Sequence, residues 1–139
     1  MTETLNSTDN LDRELTVRLI MDFFHRTMIH HAMWYAEVER HIGREKALEI
    51  LDTAYEQGAA IQLKRLSRVL GFEMKDDVPA PLLDLPGDTL EKLKEAAAAN
   101  WLANDGVWFQ AVEFSLGMSE AKKCNDACWA NFSPFEAWS

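Results

Sequence analysis

Apolar residues recur along this chain at helical spacing, in long stretches that come in pairs around a glycine. From Leu11 to Ile42 there is neither Pro nor Gly. Within that stretch Ile20, Phe24, His31, Tyr35, Val38 and Ile42 fall three, four or seven residues apart. That is the period of one helix face, so the spacing predicts one very long amphipathic helix. Asp9 or Asn10 is placed as its cap, with Asp12 and Glu14 in an acidic first turn. Residues 1–9 read as a polar lead-in. A break near residues 25–28 is compatible with the pattern but not demanded by it. Gly43 is placed as a left-handed stop.

A second helix is predicted from Arg44 to Leu70. Ala47, Ile50, Leu51, Ala54, Gly58 and Ile61 lie along one side, and Leu48, Tyr55, Leu63, Leu66 and Leu70 along the side beside it. So broad an apolar sector predicts burial. Gly58 costs about 1 kcal/mol against Ala inside a helix, and is expected to allow close helix packing. Gly71 ends the helix. Residues 72–87 contain Pro79, Pro81 and Pro86 and cannot be helical throughout. They are long for a helix–helix loop and long enough to run the length of a bundle, with Leu82, Leu83 and Leu85 packing on the surface crossed. Asp88 is placed as the cap of a third helix, with Glu91 as its capping-box partner, ending at Gly117. Ser119 is placed as the cap of a fourth, running to about Phe132. Pro134 would end it, and Phe135 and Trp138 would dock a short tail.

The two pairs also match in sequence. Shifted by 74, Trp34, Val38, Glu39, Gly43, Ala47 and Asp52 fall on Trp108, Val112, Glu113, Gly117, Ala121 and Asp126. These are six identities in 19 ungapped positions, where average residue usage gives about one. Tyr35 with Phe109, Ile42 with Leu116, and Tyr55 with Trp129 are close in character. An internal repeat of a helix–glycine–helix unit is the simplest account. The expected fold is therefore all-α, a four-helix bundle of two repeated hairpins joined by a long crossover, with ferritin-like connectivity. It would form a single helical domain over 1–139, with residues 10–71 as the first hairpin, 72–87 as the crossover and 88–139 as the second hairpin and tail. A dimer exchanging hairpins satisfies the same pattern.

Composition narrows the function classes. The 139 residues carry a net charge of −9 and are 47% hydrophobic, a globular composition. The negative charge disfavours nucleic-acid or anionic-membrane partners, which reward clustered Lys and Arg. No run of 18 apolar residues is present to span a membrane. Met1 to Asn10 have no basic start and no apolar stretch, unlike a secretory signal. Two cysteines do not make a disulfide framework. A cytosolic protein is the default.

Candidate chemistry comes from polar residues at positions where the period calls for core. His31 and Asp105 are matched across the 74-residue shift, as are Glu39 and Glu113, and Asp52 and Asp126. Were the hairpins related by an approximate two-fold axis, these six would converge. His31, Glu39, Asp52, Glu113 and Asp126 could then hold a divalent metal, and His31, Glu39, Asp105 and Glu113 could perform acid–base chemistry. The structural alternative is that a carboxylate repeated in both halves bonds a helix N-terminus across the bundle or holds the Trp N–H of the symmetric partner. No Glu-x-x-His pair of the di-iron type occurs. His30, Trp34, Glu37 and His41 share another face, expected to be solvated or an interface. Cys124 and Cys128 share a face of the fourth helix and read as small core residues, or as two soft-metal ligands in need of others. The aromatic set Trp34, Tyr35, Trp108, Phe109 and Trp129 is expected in the core, with an apolar pocket between hairpins as the alternative.

The run Trp101–Leu102–Ala103, Asp105–Gly106, Trp108 to Glu113, Gly117–Met118, Ala121, Asp126, Trp129 and Glu136–Ala137 resembles the signature of an uncharacterised bacterial family of small helical proteins. That family is distantly similar to L-2-amino-thiazoline-4-carboxylate hydrolases. The resemblance implies ring opening of a small cyclic amidine. This chain departs from the pattern at Asn104, where the family often has His, and at Cys124 and Cys128, where it has less reactive residues. Together these readings lead to a helical-bundle protein that binds a small ligand or divalent metal between its repeats. The alternative is a non-catalytic interaction module, expected to be a homodimer, with structural carboxylates.

Overall fold

Gly43 and Gly117 each reverse the chain in a single residue, and the two hairpins are built on those reversals. The computed structural model describes the backbone of residues 13–136 and the side chains of residues 13–134. Helix α1 spans Arg13–Ile42 and α2 Arg44–Leu70. After a short β-hairpin, β1 (Met74–Lys75) and β2 (Val78–Pro79), and one helical turn α3 (Ala80–Leu83), α4 spans Gly87–Leu116 and α5 Met118–Glu136. The chain folds as two units, Met1–Gly71 and Phe72–Ser139.

Both turns work in the same way. The Gly43 N–H donates to the Glu39 carbonyl at 2.9 Å, and the Ala47 N–H donates to the Gly43 carbonyl at 3.1 Å. In the second unit the Gly117 N–H donates to Glu113 at 2.8 Å, and Ala121 donates to Gly117 at 3.1 Å. One residue thus closes the ladder of one helix and opens that of the next, using backbone groups that helix ends otherwise leave unpaired. Only glycine takes the required backbone angles readily, φ 88°, ψ 159° at Gly43 and φ 95°, ψ 165° at Gly117. The positive φ matches expectation, but ψ lies far from the left-handed helical well predicted for a stop. Gly71, at φ 75° and ψ 31°, is a left-handed cap whose N–H reaches Ser67.

Several predicted boundaries move. The first helix shows no break near residues 25–28; its predicted cap at Asp9 or Asn10 lies outside the described residues. Helix α4 begins at Gly87, with Pro86 at its cap and no side-chain capping bond, so Asp88 sits in the first turn and not at the cap. Its charge there still favours the helix N-terminus. Helix α5 begins at Met118 directly after the glycine, which leaves Ser119 inside the first turn. Pro134 lies inside α5 rather than at its end. It removes one ladder bond near the terminus, where few bonds remain to lose. Trp138 lies outside the described residues, as does the side chain of Phe135.

The crossover is more ordered than the sequence implies. Met74 pairs with Pro79 and Lys75 with Val78 in an antiparallel ladder. Asp76 and Asp77 carry φ of 47° and 64°, the positive values a tight two-residue hairpin needs and that Asp tolerates better than most. The Ala80 N–H bonds Glu73 at 2.9 Å, which leads the chain into α3.

The tightest packing sits beside each turn. Ala47 and Ala121 are each 1% exposed, and among the described residues they are the only buried apolar ones. Where two helices leave a one-residue link their backbones are closest, and only a small side chain fits between them. Away from the turns the expected core aromatics Trp34 and Trp108 are 64% and 67% exposed. Exposed ion pairs such as Arg18–Glu14 and Lys94–Glu91 line the outer faces and contribute little.

Gly43→Ala and Gly117→Ala are expected to cost about 1–3 kcal/mol each, because a Cβ is strained at these angles even though open space surrounds both positions. Gly58 has an ordinary φ, and a Cβ there would meet only the Gln62 amide at 3.9 Å. No close approach requires that glycine. Gly58→Ala is therefore expected to stabilise by about 0.5–1 kcal/mol. Chemical denaturation of the three variants measures both signs.

Candidate functional site

A hairpin turned by one residue sets its two helices in mirror register: positions equally distant from the glycine stand at about the same height along them, and those on the facing sides meet. Asp105 and Trp129 each stand twelve residues from Gly117, and the Trp129 indole N–H donates to Asp105 Oδ1 at 3.1 Å. Around this bond α4 and α5 enclose an open cleft of about 450 Å³. Its walls are Trp101, Trp108, Phe109, Val112, Trp129 and Phe132, with Asp105, Asn104, Asn125, Cys124 and Cys128 as its polar and thiol groups. Trp101, Trp129 and Phe132 form an aromatic trio. Trp129 and Phe132 meet edge-to-face at 5.9 Å, and Trp101 lies 5.7 Å from Phe132 and 6.3 Å from Trp129, within the favourable range for such pairs.

The first hairpin has the corresponding cleft, but it is smaller. It measures about 130 Å³ and is lined by His31, Trp34, Tyr35, Val38, Ala47, Ile50, Leu51 and Ala54. Adding 74 to each gives Asp105, Trp108, Phe109, Val112, Ala121, Cys124, Asn125 and Cys128, all of which line the second cleft. The second cleft thus replaces aliphatic Ile50, Leu51 and Ala54 with two thiols and an amide. Thr27, Tyr55 and Gly58 occupy the places of the aromatic trio.

A polar network marks the first hairpin instead. Arg44 Nε donates to Glu39 Oε1 at 2.8 Å across the turn, and the Tyr35 hydroxyl lies near the same carboxylate. Burial and the nearby Glu39 carboxylate together raise the Tyr35 pKa above its ordinary 10.0, with Arg44 pulling the other way. At the matching positions the second hairpin has Phe109, Glu113 and Met118, so Glu113 keeps the carboxylate without the arginine or the hydroxyl.

The anticipated site residues therefore separate by hairpin. Glu39 and Glu113 are half-buried beside their turns, Asp105 is half-buried on the Trp129 indole, and His31 is exposed at the first cleft. Asp52 and Asp126 are exposed. Among the described residues, no three His, Cys, Asp or Glu side chains stand close enough together to hold a metal ion. Asp105 accepts the indole N–H of a Trp in its own hairpin. His30 and His41 lie on an exposed face, with His41 3.5 Å from Glu37. Sequence reasoning missed Trp101 and Phe132, and it missed that a cleft forms within one hairpin. The available signal was the mirror register about Gly117.

Two glycine-turned hairpins, each with an apolar cleft between its helices, define an all-α protein. The chain belongs to DUF6125, a family of unknown function, which it matches over residues 9–86 and 83–139. No curated protein and no solved structure is found to match it. No helix among the described residues is long and apolar enough to cross a membrane.

In a Tyr55→Phe background Tyr35 is the sole tyrosine, so tyrosinate absorbance reports it alone. Its midpoint is expected above 10.0, and Glu39→Gln is expected to lower it. Because the folded chain resists this ionisation, the associated stability is full below the unfolded value and declines as pH rises through the raised one.

Proposed function

We propose that the two hairpins are copies of one unit and that the second has become a binding site for a small, largely apolar ligand. The observation that supports this reading is the set of changes within matched clefts. Scaffold positions such as Trp34/Trp108, Val38/Val112 and Ala47/Ala121 are kept, while Ile50, Leu51 and Ala54 give way to Cys124, Asn125 and Cys128. The larger cleft falls within the ordinary range for small-molecule pockets, about 300–1,000 Å³, and has their usual make-up of apolar walls with a few polar groups. Closure into a bundle of ferritin-like connectivity, or pairing with a second copy, would roof the cleft. Exposed apolar residues such as Phe23, Met28 and Phe114 support some such covering. Ring-opening hydrolysis of a cyclic amidine is the narrower form of the proposal.

The triple variant Cys124→Ile, Asn125→Leu, Cys128→Ala gives the second cleft the residues of the first at these three positions. Ligand-observed NMR with neutral aromatic fragments is expected to detect binding to the native chain and none to a folded triple variant. Equal binding by both would remove the cleft from consideration and leave the alternative of a non-catalytic assembly module.

A second reading is a divalent ion held by His31, Glu39, Asp52, Glu113 and Asp126, with His31 and Asp105 moving protons. It is favoured by the equivalent half-buried positions of Glu39 and Glu113. Metal analysis of protein purified without added metal tests it. Stoichiometric metal that is lost in the Glu39→Gln, Glu113→Gln double variant is the expected result, and a metal-free native chain rules the reading out.

A further inference from the structure

We propose that Cys124 and Cys128 form a two-thiolate site for a soft cation with a filled d shell, such as Cu(I), in the α4–α5 cleft. The inference rests on that cleft being a binding site and names one ligand class for it. Both cysteines are free and exposed, and both line the cleft. They stand four residues apart on α5, hence on one face. The matched cleft has Ile50 and Ala54 in their places, so the scaffold does not need thiols there.

Distances decide what the pair can do. Residues four apart on a helix hold their Cβ atoms about 5–6 Å apart. A disulfide needs about 3.5–4.5 Å, so an intact α5 holds the two thiols too far apart to oxidise with each other. A metal–sulfur bond is about 2.3 Å long, and two such bonds in line span about 4.6 Å between sulfurs, which rotamers of this pair can match. As the ion binds, each thiol gives its proton to solvent, so two protons leave per ion.

The surroundings select the ion class. Among the described residues no third His, Cys, Asp or Glu joins the pair as a metal-holding group. Asp105, the carboxylate in the cleft, already accepts the Trp129 indole N–H. Zn²⁺ requires four ligands, and Mg²⁺ or Ca²⁺ require oxygen. An ion satisfied by two soft donors is fully served here, since the remaining oxygens of the cleft, the Asn104 and Asn125 amides, are neutral hard donors that such an ion does not need.

The test uses the full chain, reduced and under argon, titrated with Cu(I) against a chromophoric Cu(I) chelator. One ion per chain is expected, with two sulfur neighbours by X-ray absorption and two protons released. Losing an outer-shell partner costs a metal site up to about a hundredfold, so Cys124→Ser and Cys128→Ser, each removing a direct ligand, are expected to cost at least that much. Unchanged affinity in both variants, half an ion per chain, equal affinity for Zn²⁺, or isolation of the pair as a disulfide would each overturn the proposal. Aromatic-fragment binding separates it from the wider reading. The Cys124→Ser, Cys128→Ser double variant is expected to lose Cu(I), and fragment binding is read on the native chain alone. A native chain that binds Cu(I) but no fragment supports the two-thiolate site and removes only the wider reading.

Discussion

Everything in this protein is referred to a reversal of chain direction accomplished by one glycine. Gly43 and Gly117 each use their N–H to terminate one hydrogen-bond ladder and their C=O to start the next, so both of their own backbone polar groups are paired. The cost is an angle that other residues adopt only under strain, and a close helix approach that admits only Ala47 and Ala121 four residues on. Glycine, alanine and the mirror register follow from that single constraint.

Mirror register then determines which chemistry can meet. In the second hairpin it joins Asp105 to Trp129 and gathers an aromatic trio near them. In the first, the same distance from the turn holds His31 and Tyr55, and the notable polar contact is instead local to the turn, Glu39 with Arg44 and Tyr35. Two hairpins with matching turns thus carry different contacts, one concentrated at the elbow and the other along the cleft.

Much of this was legible from period alone. Helical spacing located the long helices, and the glycines located their ends, because backbone freedom at those positions has no substitute. Capping was less legible. The sequence offers Asp88 and Ser119 as side-chain caps, whereas the chain begins α4 from Pro86 and α5 directly from the Gly117 turn. The β1–β2 hairpin was invisible, since two-residue strands are too short to show alternation and Asp76–Asp77 lacks the usual glycine. At the site, period assigned Glu39 and Asp105 to inward faces but could not name what lies opposite. That information resides in the turn: Trp129 became visible as a partner only with the register about Gly117, and Arg44 reaches Glu39 directly across the Gly43 turn.

A hinge of one residue also leaves no slack. Inserting or deleting a single position between Gly117 and Asp105 would swing every side chain beyond it by about 100° around the helix axis, carrying Trp101 and Asp105 away from α5 together. Such a scaffold can be retuned only by exchanging side chains in place, never by altering length. The interval from turn to cleft is therefore the same on both sides of the crossover, at twelve residues, while the groups found there are free to diverge.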